Sequence, residues 1–358
     1  MTEEREKMEK AEKIDIKSLS YEEVLAMMDT LQEKKFRGKQ IYEWLHQKAV
    51  SDFDDMTNLS KPLRERLKEN CYLADMKMLD KLVSKDKSTT KFLFGLRDGS
   101  VIESVLMKYH HGNSVCISSQ VGCRMGCKFC ASTLGGLERN LTVSEMLGQI
   151  YAIQNISGER VSNVVVMGTG EPMDNYDNFV KFVRMLTDEH GYHISQRNIT
   201  VSTCGLVEQI RKLAEEQFSI TLAISLHAPN DEARRTLMPV ANRYSIREIM
   251  EICEEYFAKT GRRISFEYSL VQGVNDSEDF ARQLAGLLKG KNCHVNLIPV
   301  NPIKERNYKD SEASFVQNFK MILEKYGINV TIRREMGRDI DAACGQLRRS
   351  YMKQKEEE

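Results

Sequence analysis

Apolar and polar positions follow a helical repeat in the first part of the chain. Segments such as 41–48 and 61–71 carry apolar residues at the three- and four-residue spacing of a helix that buries one face. Ser20 and Glu23 have the spacing of a capping box, a common signal at the start of a helix. The pattern predicts an N-terminal helical accessory domain over residues 1–75.

The pattern changes to strand-like runs after this region. The run KFLFGL leads to a turn at Asp98 and Gly99, and the run SVIESVLMKY follows it. Two apolar runs joined by such a turn are typical of a β-hairpin. We therefore expect a β-hairpin linker segment over residues 76–113, and this segment carries Glu103.

From residue 114 onward, strand-like runs alternate with helical stretches. The strand candidates are SVCISS, VSNVVVMG, NITVST, ITLAISLH, RISFEYSL and CHVNLIPV. Alternation of this kind favours an α/β fold, a partial (β/α)6 barrel over 114–340, with a C-terminal segment over 341–358. Because the carboxyl ends of parallel barrel strands meet on one face, the polar sequences that follow these runs predict the functional site.

Composition limits the classes of protein that the chain can be. Of its 358 residues, 41% are hydrophobic and 29% charged, which is typical of a globular protein. The charged N-terminus and the lack of an apolar run of about 18 residues predict a cytoplasmic protein with no membrane partner. Lys plus Arg equals Asp plus Glu at 52 each, so an RNA contact would need a local patch such as the basic stretch 31–48.

Three of the nine cysteines are closely spaced. Cys123, Cys127 and Cys130 form a C-x3-C-x2-C run after a predicted strand, and Gly122 and Gly126 permit a sharp backbone there. Three thiolates suit a [4Fe-4S] cluster whose fourth iron is open. The alternative is structural zinc, but closed zinc sites want four ligands, usually in two pairs, and the sequence has no second pair.

The cysteine run resembles the signature of the radical S-adenosylmethionine (SAM) superfamily. The resemblance implies a partial (β/α)6 radical SAM barrel, with SAM bound to the fourth iron of the cluster and cleaved to a 5'-deoxyadenosyl radical. The sequence GTGEP at 168–172 lacks the third glycine of a dinucleotide-binding motif. It resembles instead the superfamily motif that holds the amino group of SAM.

A longer resemblance, over nearly the whole chain, is to the RlmN/Cfr family. It is carried by IESVLM, VCISSQVGCRMGCKFCASTLGGLERNLT, MGTGEP, SLHAP, GVND, HVNLIPVNP and DIDAACGQL. Resemblance to an RlmN-type enzyme implies methylation of adenine C2. The implied sites are in 23S rRNA, at the peptidyl transferase centre, and in the anticodon loop of tRNA. A Cfr-type enzyme, which modifies adenine C8 of 23S rRNA, is the alternative. The cysteines do not separate the two, while STLGGLERNLT and PVNP favour the RlmN type.

The family resemblance also implies how a carbon as unreactive as adenine C2 is methylated. A thiolate is a good nucleophile toward the methyl group of SAM. Cys344 matches the cysteine that takes a methyl from one SAM, and a second SAM per turnover supplies the radical. Cys116 matches the cysteine that releases the RNA by a disulfide with Cys344. Glu103 matches the proton acceptor, although Cys116 is an alternative base. Without the resemblance, both cysteines would be interpreted as buried core thiols and Glu103 as a solvent-facing residue.

The resemblance implies the remaining partners as well. The positions that match SAM contacts are Gly170, Glu171, Ser202, Ser225, Leu226, His227 and Asn301. A reducing electron donor such as flavodoxin or ferredoxin is implied, and the family suggests a monomer. The other cysteines have no motif and are interpreted as structural: Cys71, Cys204, Cys253 and Cys293.

Overall fold

The computed structural model describes residues 13–300, 308–333, 340, 347–349 and 351–352. Its N-terminal part is helical, as predicted. The short strand β1 (Ile14–Asp15) pairs in parallel with β2 (Cys71–Tyr72), and three helices lie between them: α1 (Tyr21–Thr30), α2 (Lys35–His46) and α3 (Lys61–Asn70). The predicted capping box of Ser20 and Glu23 opens α1. Of the predicted site residues, Cys344 and Asn301 lie outside the described residues.

A ten-stranded sheet forms the centre of the described part of the chain. The strands after β2 are β3 (Lys77–Val83), β4 (Thr89–Gly95), β5 (Val101–Tyr109), β6 (Gly112–Cys116), β7 (Gln120–Gly122), β8 (Leu137–Asn140), β9 (Val161–Val166), β10 (Ile199–Thr203), β11 (Thr221–Ser225), β12 (Ile264–Leu270), β13 (Cys293–Pro299) and β14 (Asn329–Ile332). The sheet has the order β14-β13-β12-β11-β10-β9-β6-β5-β4-β3, and β7 pairs with β8 in a separate hairpin.

Helices cover the sheet between successive parallel strands. They are α4 (Val143–Ser157), α5 (Tyr176–Thr187), α6 (Val207–Glu215), α7 (Asp231–Leu237), α8 (Ile246–Thr260), α9 (Glu278–Leu288) and α10 (Ala313–Lys325). The strands from β6 to β14 in the large sheet are parallel. All six predicted barrel strands form, and the predicted α/β barrel architecture is confirmed.

The structure adds strands that the pattern did not predict. The predicted hairpin, β4 and β5, pairs antiparallel with β6 and so continues the barrel sheet. β3 lengthens this extension to three strands, although most of its side chains are exposed. β14 adds a parallel strand beyond the six predicted units. The domain boundaries at residues 75, 113 and 340 stay predictions.

The parallel strands present two faces of different character. Side chains such as Val164, Val201 and Phe266 point to the helices and belong to the main hydrophobic core. Their neighbours along the strands point to the opposite face, which is polar and includes Ser202 and Ser225. Since strand side chains alternate between faces, the polar face is the interior of the partial barrel.

The N-terminal helices share the main core with the barrel helices. His46 Nδ1 lies 2.9 Å from the Tyr151 hydroxyl on α4, and the Ser144 N–H donates to Ser18 Oγ at 3.0 Å. The helical region is therefore packed firmly against α4. Among the helices that the structure describes, none is long and apolar enough to cross a membrane.

Candidate active site

The cysteine loop lies between β7 and β8. The N–H of Cys123 donates to the Gly136 carbonyl at 2.7 Å, and a Cβ at Gly122 would lie 2.0 Å from the same oxygen. Gly122 and Gly126 have φ of +76° and +71°, so both adopt the left-handed backbone that glycine favours. The predicted sharp loop therefore forms, and it closes on the β7–β8 hairpin.

The thiols of this loop are suited to hold metal. Cys123 and Cys127 are buried and Cys130 is half-buried. Burial raises the pKa of Cys123 to about 12 and raises that of Cys127 further, so neither thiol ionises readily without a cation. A coordinated metal ion removes such thiol protons.

The arrangement of donors fits a cluster better than a single ion. Across the described ranges, no three or more His, Cys, Asp or Glu side chains converge on one metal ion. A cubane needs no such convergence, because each thiolate binds a different iron. Three cysteines on one tight loop therefore fit a [4Fe-4S] cluster.

The GTGEP segment continues from β9 beside the cysteine loop. A Cβ at Gly170, whose φ is +114°, would lie 2.6 Å from Ser119 Oγ, so only glycine fits there. The adjacent Glu171 is buried, and its carboxylate accepts from the N–H groups of Met173 at 3.0 Å and Cys204 at 2.8 Å. Burial raises the pKa of Glu171, against these hydrogen bonds. The segment thus fixes one carboxylate at the carboxyl end of the strands.

Three further predicted residues lie at the ends of β10 and β11. Ser202 Oγ and Ser225 Oγ are 3.1 Å apart. His227 has a left-handed backbone with φ of +57°, and its Nδ1 accepts from the Ser269 N–H at 2.9 Å. A neutral His227 therefore carries its proton on Nε2. Phe129, from the cysteine loop, packs edge-on against the His227 ring with centroids 4.8 Å apart. The loop and these strand ends form one site.

Glu103 and Cys116 share one face of the antiparallel extension. Val105 pairs with Cys116 across β5 and β6, and Glu103 is two residues from Val105 on the same face. Lys91, on β4, pairs with Val105 from the other side, and its Nζ lies 3.3 Å from Glu103 Oε2. The N–H of Arg348 donates to Glu103 Oε1. Glu103 is only 4% exposed. Without the family resemblance we would expect a solvent-facing carboxylate at this position, and that expectation is wrong.

The buried pair of Lys91 and Glu103 leads to a stability prediction. Lys91→Met would leave the Glu103 charge buried without its ammonium partner. This should lower the free energy of unfolding by about 3–5 kcal/mol. The matched control is Lys108→Met, since Lys108 forms an exposed ion pair with Glu159 at 2.6 Å and should cost no more than about 1 kcal/mol. Urea unfolding midpoints measure both variants. Equal shifts in the two would contradict the argument.

Sequence reasoning missed several groups in the site. The backbone N–H of Cys204, a residue without a motif, donates to Glu171. Glu267 is buried on the interior face, where Asn296 Nδ2 donates to its Oε2 at 2.8 Å and Ser265 Oγ donates to its Oε1 at 3.0 Å. Burial raises the pKa of Glu267. Polar residues at alternate positions of apolar runs, as in RISFEYSL, are the signal that could have found them.

Two buried histidines predict how stability depends on pH. Burial lowers the pKa of His46 and of His227 from 6.5 to about 3. Because the unfolded chain binds these protons more readily, their contribution is complete above pH 6.5 and is lost progressively as the pH falls toward 3. Between pH 6.5 and 5 the loss should be about 2 kcal/mol for each histidine. Urea midpoints should fall over this range, and His46→Gln should reduce the fall; an unchanged slope would contradict the assignment.

Comparison with known proteins agrees with this fold. Residues 14–73 match the model of the ribosomal RNA large subunit methyltransferase N-terminal domain, and residues 117–284 match that of the radical SAM superfamily. A protein of Lachnoclostridium phytofermentans named probable dual-specificity RNA methyltransferase RlmN is 66% identical over 340 residues, which cover 95% of this chain and 96% of the relative. A relative of the same name from Lachnospira eligens is 64% identical, with 94% and 97% covered.

A solved structure is also similar. The crystal structure of a radical SAM methyltransferase from Sphaerobacter thermophilus has a TM-score of 0.90 and 42% sequence identity, and the match covers 93% of this chain and 98% of that one. The fold and the cysteine loop thus define a radical SAM enzyme, a class that uses a [4Fe-4S] cluster and SAM. Within that class, the chain belongs to the RlmN family of RNA methyltransferases. The names of the relatives do not favour the Cfr type.

Proposed function

We propose that this chain methylates C2 of a specific adenine in 23S rRNA, at the peptidyl transferase centre, and of an adenine in the anticodon loop of tRNAs. The observation that carries the proposal is the shared interior face. Glu103 and Cys116 lie on one face of β5 and β6. These two strands belong to the same sheet as β10 and β11, whose ends carry Ser202 and Ser225. A thiol, a carboxylate and the candidate SAM residues therefore border the same space, as a methylation that passes through cysteine requires.

Cys123, Cys127 and Cys130 are the proposed ligands of the cluster, with SAM at the fourth iron. The bound cluster and SAM supply reductive cleavage to the 5'-deoxyadenosyl radical. The proposed SAM contacts are Gly170, Glu171, Ser202, Ser225, Leu226, His227 and Asn301. The Glu171 carboxylate supports this assignment, because two backbone N–H groups hold it in place and leave lone pairs able to accept from an amino group.

Cys344, outside the described residues, is the proposed carrier of the methyl group, and two SAM molecules are used per turnover. Arg348 supports this role. Its N–H donates to Glu103, and it is four positions along the chain from Cys344, a chain length of about 14 Å at most. Cys116, on the same face as Glu103, is the proposed resolving cysteine. Glu103 is the proposed proton acceptor, with Cys116 as the alternative base.

Helix α2 is the proposed RNA contact of the N-terminal region. Lys34, at its N-terminal end, and Lys35 and Lys39 within it are exposed, and Phe36 is 51% exposed beside them. Exposed cations bind phosphates, and an exposed ring offers a surface on which a base can stack. The protein is proposed to act as a monomer in the cytoplasm, with an electron donor such as flavodoxin or ferredoxin.

The test uses purified, anaerobically reconstituted enzyme with an RNA substrate and SAM whose methyl group carries three deuterium atoms. Removal of one deuterium by the radical, followed by return of an ordinary proton, leaves two deuterium atoms in the product. We expect mass spectrometry of the digested RNA to find 2-methyladenosine with two deuterium atoms. Retention of all three would contradict the radical route. Labelled 8-methyladenosine would instead support the Cfr type.

A further inference from the structure

Arg234 is a fully buried cation that the proposed function does not use. It lies on α7 and is 0% exposed. Its guanidinium donates to four carbonyl groups: those of Cys204 at 2.6 Å, Leu226 at 3.1 Å, and Ser225 and Tyr244 at 3.4 Å. Carbonyls satisfy the N–H groups, but they carry no net charge to balance the cation. A buried charge without such a balance is costly.

A thiol of the cysteine loop is among the ionisable groups near Arg234. Burial lowers the pKa of Arg234, and a negative charge on Cys204, Cys127 or Asp231 would oppose this shift, in that order of strength. The Asp231 carboxylate accepts from the Ile246 N–H at 2.7 Å. Within the ranges that the structure describes, no carboxylate forms an ion pair with Arg234. Arginine nevertheless stays protonated in proteins.

Helix α7 also contacts the loop directly. The Lys128 N–H donates to the Leu237 carbonyl at 2.8 Å, between two of the proposed cluster ligands. Cys127, Cys204, Leu237 and Met238 pack together in one small hydrophobic cluster. The guanidinium thus lies on a helix that packs against the cysteine loop. The surroundings there are of low polarity, so electrostatic effects are strong.

We propose that Arg234 is the internal counter-cation of the cluster and that it raises the reduction potential of the cluster. The inference rests on the proposed ligand set. Three thiolates give the oxidised cluster one net negative charge, and the added electron gives it a second. A fixed positive charge nearby favours the more negative, reduced form. Arg234 is accordingly a positioning and tuning residue, whose guanidinium contacts backbone carbonyls.

The experiment measures the potential of the reconstituted holoenzyme by titration followed with electron paramagnetic resonance. Arg234→Gln should lower the ratio of reduced to oxidised cluster about tenfold at a fixed potential, a shift of about 59 mV for one electron. Arg234→Lys keeps the positive charge, so the reduction potential of its cluster should stay close to that of the wild type. The control is Arg235→Gln, which removes an exposed cation from the same helix and should change nothing.

The outcomes separate the possible failures. A wild-type potential in Arg234→Gln, with normal iron content and circular dichroism, would overturn the inference. If Arg234→Gln loads no cluster, Arg234→Lys decides: a wild-type potential supports the role of charge, and a lowered one shows that the carbonyl contacts matter instead. If the wild-type protein itself forms no SAM-cleaving cluster, the proposed function fails rather than this inference.

Discussion

Cys127→Ala should abolish the formation of 5'-deoxyadenosine, with a loss of more than about a hundredfold. Mutation of a residue that only hydrogen-bonds to a metal ligand typically lowers metal affinity or activity by roughly 10- to 100-fold. Loss of a ligand itself should therefore lower the activity further. The buried loop offers no replacement, because its other two cysteines bind other irons in the proposed cluster. The measurements are iron content after anaerobic reconstitution and 5'-deoxyadenosine released from SAM.

Cys253→Ala is the matched control for this substitution. Cys253 is also a buried thiol, but it lies on α8 in the main core. It should keep full iron content and SAM cleavage. A Cys127→Ala protein that still cleaved SAM at the wild-type rate would show that the loop does not hold the cluster.

Cys344→Ala and Cys116→Ala should both stop turnover, but at different steps. Without Cys344 there is no thiolate to accept a methyl group, so the protein should carry no label from methyl-labelled SAM. Without Cys116, the methyl group should still reach Cys344 and then RNA, but the covalent adduct of enzyme and RNA should accumulate. Product formation should fall more than about a hundredfold in each, because residues that act as a unit in catalysis fail together.

Intact-protein mass spectrometry and denaturing gels separate these outcomes. Label on the protein is expected in Cys116→Ala and in the control Cys253→Ala, which turns over normally, but not in Cys344→Ala. An accumulated RNA adduct is expected only in Cys116→Ala. Product release by Cys116→Ala at the wild-type rate would contradict its role as the resolving cysteine. The same result with Cys344→Ala would contradict the whole cysteine-based route.

The barrel was predictable because its strand signals are local. Runs such as VSNVVVMG and CHVNLIPV hold enough apolar residues for one buried face, and capping boxes at Thr142 and Ser245 mark the helices between runs. The β3 segment KMLDKLV gave no such signal, since its side chains are mostly exposed at the edge of the sheet. Its position depends on pairing with β4, which the segment alone does not encode.

The residues of the candidate site that belong to a sequence motif were predictable. Those that reach the site only through the packing of the fold were not. The cysteine spacing and GTGEP identify their residues directly. Lys91 instead looks like an ordinary polar position in KFLFGL, and only the sheet register brings it to Glu103. Arg234 and Arg235 are adjacent in one helix, yet one is fully buried and the other exposed. Sequence spacing on a helix of 7 residues does not decide which of the two enters the core.

The most direct test of the proposed activity is nucleoside analysis of 23S rRNA and tRNA from cells with and without this gene. We expect 2-methyladenosine to be present in both RNA classes from cells with the gene and absent once the gene is deleted. The gene with a Cys127→Ala codon should not restore the nucleoside. Unchanged 2-methyladenosine after deletion, or loss of 8-methyladenosine alone, would contradict it.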